Sequence, residues 1–424
     1  MNSCLDESTH HRLVLPPPNG WRARVGARAA AMVFARAVAR LPVRVEFPDG
    51  TVAGAGSDDD PLPRMIIGDP AAFFSRLGTT GLIGFGESYT VGEWTSPDLA
   101  SVLTVFAGQL PRLIPPPLQR LRSVLLPRPP SAAAGTVDSA RSNIERHYDL
   151  SNEMFQAFLD ETMTYSCALF DPADIAAGPV SWDRLADAQH RKIDAILDAA
   201  GVGSGTRLLE IGTGWGELCV RAAARGASVH SVTLSTQQLE LARRRVARAG
   251  YAHAVTLELC DYRSIRGSYD AIVSVEMLEA VGYRYWRTYV ECLNRLLDPG
   301  GRIALQVITM PHDRMLASRN TYTWIQKHVF PGGFLPSTEA IESTLARYTP
   351  LRVCGRAGFG PHYAETLRLW RERFDSRADE IANVGFDATF RRLWRFYLAY
   401  SEAGFRSGYL DVQHFVLERN RELT

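Results

Sequence analysis

Lysine is almost missing from the chain. Lys192 and Lys327 are the only two in 424 residues, and the other basic side chains are arginines. This reads as a compositional bias of the coding sequence rather than a functional signal. An excess of one charge is missing too. The formal net charge is +1, so no global field steers the chain to nucleic acid, and no nucleic-acid partner is expected. The six cysteines are scattered with no C-x-x-C pair, which suits a reducing cytosol and argues against a zinc site or a disulfide frame. No metal is expected. No apolar run reaches the ~18 residues of a spanning helix, and Asp6 and Glu7 stand where a signal peptide wants basic residues. Together these absences read as a cytoplasmic protein.

Acid is missing locally. Residues 8–45 hold seven arginines and no Asp or Glu; residues 99–137 hold Arg112, Arg120, Arg122 and Arg128, again with no acid. Each basic residue near an anionic membrane is worth ~1 kcal/mol, so these stretches could hold the protein on lipid. From pattern alone a solvated helix face is the preferred reading. Residues 1–20 read as a disordered tail. Residues 21–125 read as a smaller N-terminal α+β domain, with a helix over 21–41 and a loop at 84–89 around Gly84 and Gly86. The proline- and alanine-rich stretch 126–136 reads as a linker.

What is present is centred on residues 208–216, Leu-Leu-Glu-Ile-Gly-Thr-Gly-Trp-Gly. A short apolar run enters a glycine-rich turn and a helical pattern leaves it, as where an α/β sheet presents a ligand to bare backbone. Gly212, Gly214 and Gly216 alternate, and Glu210 on the strand can accept hydrogen bonds. Dinucleotide sites want G-x-G-x-x-G and an acid about 20 residues on. Here the third glycine comes one residue early, and the next strand ends in Thr233-Leu234-Ser235 with no acid. The spacing favours S-adenosylmethionine (SAM); a dinucleotide and a ligand-free turn stay open on this motif alone. Strands predicted at 207–211, 228–234, 255–259, 271–275 and 302–308 alternate with helices, which means a mostly parallel sheet. Residues 210–216, 233–238, 261–262 and 276–279 then fall at one carboxyl edge. The tail, 316–424, is rich in large aromatics and reads as a helical cap, part of which could line an apolar tunnel.

A wider set of motifs occurs in order: His-Tyr-Asp-Leu-Ser-Asn at 147–152, Met-Thr-Tyr-Ser-Cys at 163–167, the glycine turn, Cys-Asp-Tyr-Arg at 260–263, Ser-Val-Glu-Met-Leu-Glu-Ala-Val-Gly at 274–282, Phe-Pro-Gly-Gly at 330–333 and His362-Tyr363. Over 137–424 the chain resembles the cyclopropane-fatty-acyl-phospholipid and mycolic acid cyclopropane synthases. Its stretches at 84–89, 214–219, 361–374 and 398–412 resemble the subgroup that makes tuberculostearic acid.

The resemblance implies a class I SAM-dependent methyltransferase domain with an acyl-chain-binding cap. The substrate implied is an unsaturated acyl chain of a membrane phospholipid, methylated at a cis double bond at the inner face of the membrane. A carbocation follows; loss of a proton gives an exocyclic methylene, which a separate reductase turns into a methyl branch. Closure of a cyclopropane ring is the alternative. It further implies a bound bicarbonate as base, cradled by the Cys167 backbone, Glu279, the Ile308 backbone, Tyr363 and residue 306. Gln306 stands where relatives often carry histidine, and Ala280 where many have histidine. Gln306 cannot titrate, and it is expected to favour methylene over ring. For SAM the resemblance and edge position select Tyr165, Ser166, Glu210, Gly212, Thr213, Gly214, Thr233, Leu234, Ser235, Gln238, Asp261 and Tyr262. Cys167 reads otherwise as a buried structural thiol, since the chemistry needs no nucleophile. A dinucleotide oxidoreductase and a non-catalytic lipid-binding module are the rivals, and a homodimer stays open.

Overall fold

The computed structural model describes residues 16–55, 61–113, 151–319 and 321–420. The first fifteen residues, the expected linker, the 147–150 part of the motif and Arg120, Arg122 and Arg128 lie outside them. The chain divides into two compact units: residues 1–128, 321–324 and 370–407 form the first, and 129–320, 325–369 and 408–424 the second.

The first unit holds a small mixed sheet of β1 (Arg44–Glu46), β2 (Val52–Ala53), β3 (Arg64–Ile67) and β4 (Trp94–Thr95). Its order is β2-β1-β3-β4, with β1 and β3 parallel and the outer pairs antiparallel. The helix Trp21–Val38 crosses Pro70–Thr80 where Gly26 meets Gly78; a Cβ on Gly78 would lie 2.3 Å from the Gly26 carbonyl carbon. The expected loop at 84–89 is instead inside the helix Leu82–Thr90. Its glycines serve close packing rather than a turn: a Cβ on Gly84 would meet the Arg76 carbonyl oxygen at 2.3 Å, and one on Gly86 the Trp324 ring at 2.5 Å. Phe85 then packs against Trp94 and Phe396, with centroids 4.9 and 6.4 Å away. Tail aromatics such as Trp324, Trp370, Trp394 and Phe396 are buried residues of this unit.

The second unit is built on seven strands: β5 (Arg207–Ile211), β6 (Ser228–Thr233), β7 (Val255–Leu259), β8 (Tyr269–Val275), β9 (Leu297–Thr309), β10 (Leu351–Gly358) and β11 (Asp411–Arg419). The order is β10-β11-β9-β8-β5-β6-β7. Strands β5 to β9 pair in parallel, as their apolar runs predict. The tail read as a helical cap also supplies β10 and β11, which extend the sheet antiparallel beyond β9.

Alternation puts Leu208, Val229 and Val273 on one face under the helices Leu185–Ala199, Glu217–Ala224 and Thr236–Arg248. Leu209, Ile272, Ile303 and Phe415 face the other way under Trp286–Leu296 and Thr338–Tyr348. Successive strand side chains point to opposite faces, so both layers come from the same short runs. The carboxyl ends of β5, β6, β7 and β8 are left on one edge.

Candidate active site

The glycine turn after β5 has the backbone its composition implies. Gly212, Gly214 and Gly216 take φ of +100°, +51° and +92°, values that favour glycine. Their surroundings differ. A Cβ on Gly212 would lie 2.8 Å from Met277 Cγ and one on Gly216 3.1 Å from Ala242 Cβ, whereas nothing lies within 4 Å of one on Gly214. Gly214 therefore faces a space that a ligand can enter to backbone distance.

The polar residues chosen for SAM gather around this turn in bonded groups. Glu210 accepts from the Ser231 hydroxyl at 2.6 Å and the Cys219 thiol at 2.8 Å; burial pushes its carboxyl up to about 7. Thr213 shares a hydrogen bond with Ser231. Ser235 caps the helix Thr236–Arg248 through the Gln238 N–H, and Thr233 donates to Gln238 Oε1 at 3.1 Å. Leu234 alone of residues 231–235 is partly exposed. Asp261 is held by Arg263 through both carboxylate oxygens, and the Tyr262 ring lies under the same guanidinium. Trp215 donates to Asn152 at 2.7 Å, tying the turn to the helix Asn152–Phe158, where Phe155 packs on both Trp215 and Tyr165. Ser166 accepts from Lys192 Nζ at 2.7 Å.

The remaining predicted residues meet at the ends of β8 and β9, and they meet around a side chain that sequence reasoning passed over. Glu276 Oε1 accepts from the Cys167 backbone N–H at 2.9 Å and from Gln306 Nε2 at 2.8 Å. Its Oε2 accepts from the Tyr363 hydroxyl at 2.7 Å. Burial pushes this carboxyl above the usual range, against the pull of those donors and of the Lys192 ammonium. Lys192 is itself fully buried, and desolvation brings it down to about 8. Met163 and Glu276, both at φ +54°, are the only non-glycine residues of positive φ among the described residues. Strain of this kind persists where surrounding bonds over-determine it.

Behind Gln306 lies His414, its register partner on β11, whose Nε2 is 2.9 Å from Gln306 Oε1. Burial lowers His414 to about 4, so the ring is neutral near pH 7. Its Nε2–H donates to Oε1, which turns the Gln306 amide to present N–H to Glu276. Glu279 stands beside this group. It accepts from the Ile308 backbone N–H through Oε1, and its Oε2 is buried without a partner. Burial, then the Glu276 charge, push the Glu279 carboxyl up to about 8. Cys167 is fully buried and its thiol is pushed well up by desolvation, as an inert structural thiol would be.

The cradle expected for bicarbonate is thus assembled, but its donors are spent inside the chain. Cys167 N–H, Gln306 and Tyr363 point to Glu276, and Ile308 N–H to Glu279. The atom left over is Glu279 Oε2, a carboxyl oxygen. An added anion would find the Cys167 N–H, Gln306 and Tyr363 already committed to the Glu276 carboxylate and would face that charge, so bicarbonate does not fit this arrangement. Glu276 was visible as an acid closing a buried strand pattern; His414 had no sequence signal beyond a histidine in an alternating run.

A deep carboxylate cluster beside a glycine turn is one signature; the match to known proteins is another. The model for the family "Mycolic acid cyclopropane synthetase" matches residues 136–415. The chain belongs to this family. It is 56% identical over 403 residues to "Tuberculostearic acid methyltransferase UfaA1" of Mycobacterium tuberculosis, covering 95% of this chain and 93% of that protein. It is 30% identical to the cyclopropane-fatty-acyl-phospholipid synthase of Escherichia coli, covering 82% and 86%. The solved structure of mycolic acid cyclopropane synthase CmaA1 complexed with SAH and CTAB superposes with a TM-score of 0.59 at 29% identity, over 66% of this chain and 98% of that one. The second unit is a class I SAM-dependent methyltransferase fold, and this cyclopropane-synthetase family member is a methyltransferase.

Proposed function

We propose that the protein methylates the cis double bond of an oleoyl-type chain in a membrane phospholipid and releases a methylene-bearing chain. A separate reductase then makes the methyl branch of a tuberculostearic-type acid. One observation carries the reading: the part-buried Glu276 and the buried Glu279 sit with Tyr363 at the same sheet edge as the open Gly214 turn. An alkene has no proton to lose before attack, so its methylation needs a dry site, a countercharge for a cation and a base afterwards. The near full-length similarity to a protein named for tuberculostearic acid supports the substrate class.

The donor site would use Gly212 and Gly214 for close approach, Tyr165, Ser166, Thr233 and Gln238 for polar contact, and Asp261 with Tyr262 for the adenine. When bound, SAM supplies an electrophilic methyl group whose transfer leaves a carbocation on the acyl chain. The apolar surroundings exclude water from that cation, and the Glu276 charge faces it with the Glu279 carboxyl beside it. Tyr363, Gln306 and the Cys167 N–H fix where the Glu276 charge sits. The test is expression in a host rich in oleoyl phospholipid, with mass spectrometry that locates the modification. A gain of one CH2 as an exocyclic methylene is expected; a cyclopropane would make the ring-closing alternative correct.

The first unit suits a membrane surface. On Trp21–Val38, Trp21 and Met32 are each 66% exposed and Val25 60%. Arg28 and Arg36 are exposed on the same helix, and it carries no acid. At 100° per residue, 21, 25, 28, 32 and 36 share one side, opposite the buried Ala23, Phe34 and Val38. Apolar and basic side chains mixed on one face fit the headgroup region of an anionic bilayer. No helix among the described residues is long and apolar enough to cross a membrane. The double variant Arg28→Gln/Arg36→Gln is expected to bind anionic vesicles about 30-fold more weakly at unchanged SAM affinity. Equal flotation of variant and parent would contradict this.

A further inference from the structure

Resting on the methyltransferase reading above, we propose that the Glu276 carboxylate is itself the base of the reaction, seated where the family resemblance reserves room for bicarbonate, so that turnover needs no bicarbonate. The donor set is the first argument. Three groups of different origin, a backbone N–H, an amide and a phenol, converge on one carboxylate at 2.7 to 2.9 Å. Such a cradle suits an anion, and the anion it holds is a side chain. Orientation is the second. His414 takes Gln306 Oε1 and leaves the amide no choice but to offer N–H. His414 and Gln306 are positioning residues for this carboxylate. The backbone is the third. A glutamate is held at φ +54°, a conformation retained at a cost of about 1 kcal/mol or more, and the result is a carboxylate delivered into the cradle.

The lone pairs leave room for a proton. Oε1 accepts two hydrogen bonds and Oε2 one, so Oε2 keeps a free acceptor site. In the step itself, the alkene π pair has formed the bond to the methyl carbon and the C–S electrons have left with sulfur. A hydride moves from the methyl-bearing carbon to its cationic neighbour, placing the charge on the methyl-bearing carbon. A C–H bond of the new methyl then breaks. Its electron pair becomes the exocyclic double bond, and the proton goes to Glu276 Oε2. Charge is balanced: one cation is discharged and one carboxylate becomes a carboxylic acid, which solvent deprotonates before the next cycle. Without the hydride shift, the same proton loss would close a ring at the same base.

The experiment follows the lipid product formed by the full-length protein from oleoyl phospholipid vesicles and SAM, in buffer stripped of carbon dioxide and in the same buffer with millimolar bicarbonate. Wild-type rates are expected to agree within about twofold. Glu276→Gln should lose about 10³-fold in both buffers, with SAM affinity by calorimetry unchanged. Glu276→Gly suits the positive φ and opens the cradle; it should be inactive in stripped buffer and regain turnover with bicarbonate. A wild-type rate that collapses on stripping and returns with bicarbonate would overturn the proposal while leaving the methyltransferase reading intact, whether or not the variants fold. So would a Glu276→Gln enzyme that turns over normally. No lipid product from the wild type in either buffer would overturn both.

Discussion

Glu279→Gln should slow turnover sharply and yet raise the melting temperature, by an amount that grows with pH. The carboxyl is buried, one oxygen has no partner, and its neighbour is another carboxylate. Its ionised form is therefore disfavoured in the fold, and its pKa rises from 4.5 to about 8. A raised carboxyl pKa gives stability that is complete below the unfolded value and is lost as pH climbs through the folded one. The wild type should lose this group's contribution across the window from about 4.5 to about 8, and the neutral glutamine has none to lose. The gap between the two proteins opens over that window, to at most about 5 kcal/mol. Catalysis moves the other way: removing a carboxyl that can ionise against the developing cation should cost about 10²–10³ in rate. Melting curves at several pH values check the first half, and initial rates the second. A variant no more stable than wild type above pH 8 would mean that Glu279 is ionised at no cost.

The second large effect is expected at Gly214. Asparagine tolerates the left-handed backbone better than most residues, and nothing in the folded protein lies within 4 Å of a Cβ there. Gly214→Asn should therefore fold with a stability change within about 1 kcal/mol and lose about 100-fold or more in SAM affinity, because its side chain fills the space the ligand backbone contact requires. Gly212→Ala is the contrast. At φ +100° and 2.8 Å from Met277 Cγ, it should lose stability as well as affinity. Calorimetric titration with SAM and a urea midpoint separate the two. Full affinity in Gly214→Asn would place the ligand elsewhere.

The five parallel strands were legible because each holds a short run rich in apolar and β-branched residues between helical patterns, and the glycine turn because three glycines alternate. The strands β10 and β11 were not. The residues of β10 beyond Leu351 alternate between part-buried and exposed, and its arginines dilute any apolar period. The 84–89 stretch misled because glycine marks both turns and close helix packing, and only the neighbours at Arg76 and Trp324 tell which. At the site, the donors Cys167, Gln306, Ile308 and Tyr363 were found together. What they hold was not, since a sequence shows that Glu276 and Glu279 are acids but not which one the backbone turns inward. His414 lies 108 residues from Gln306, and only strand register joins them.

The most direct measurement is incubation of the purified protein with oleoyl phospholipid vesicles and SAM carrying a deuterated methyl group, followed by mass spectrometry and NMR of the lipid. The expected product is an exocyclic methylene that retains one deuterium fewer than the methyl group donated, because the proton removed comes from that group. Full retention of the label, or transfer to any acceptor other than the acyl double bond, would contradict it.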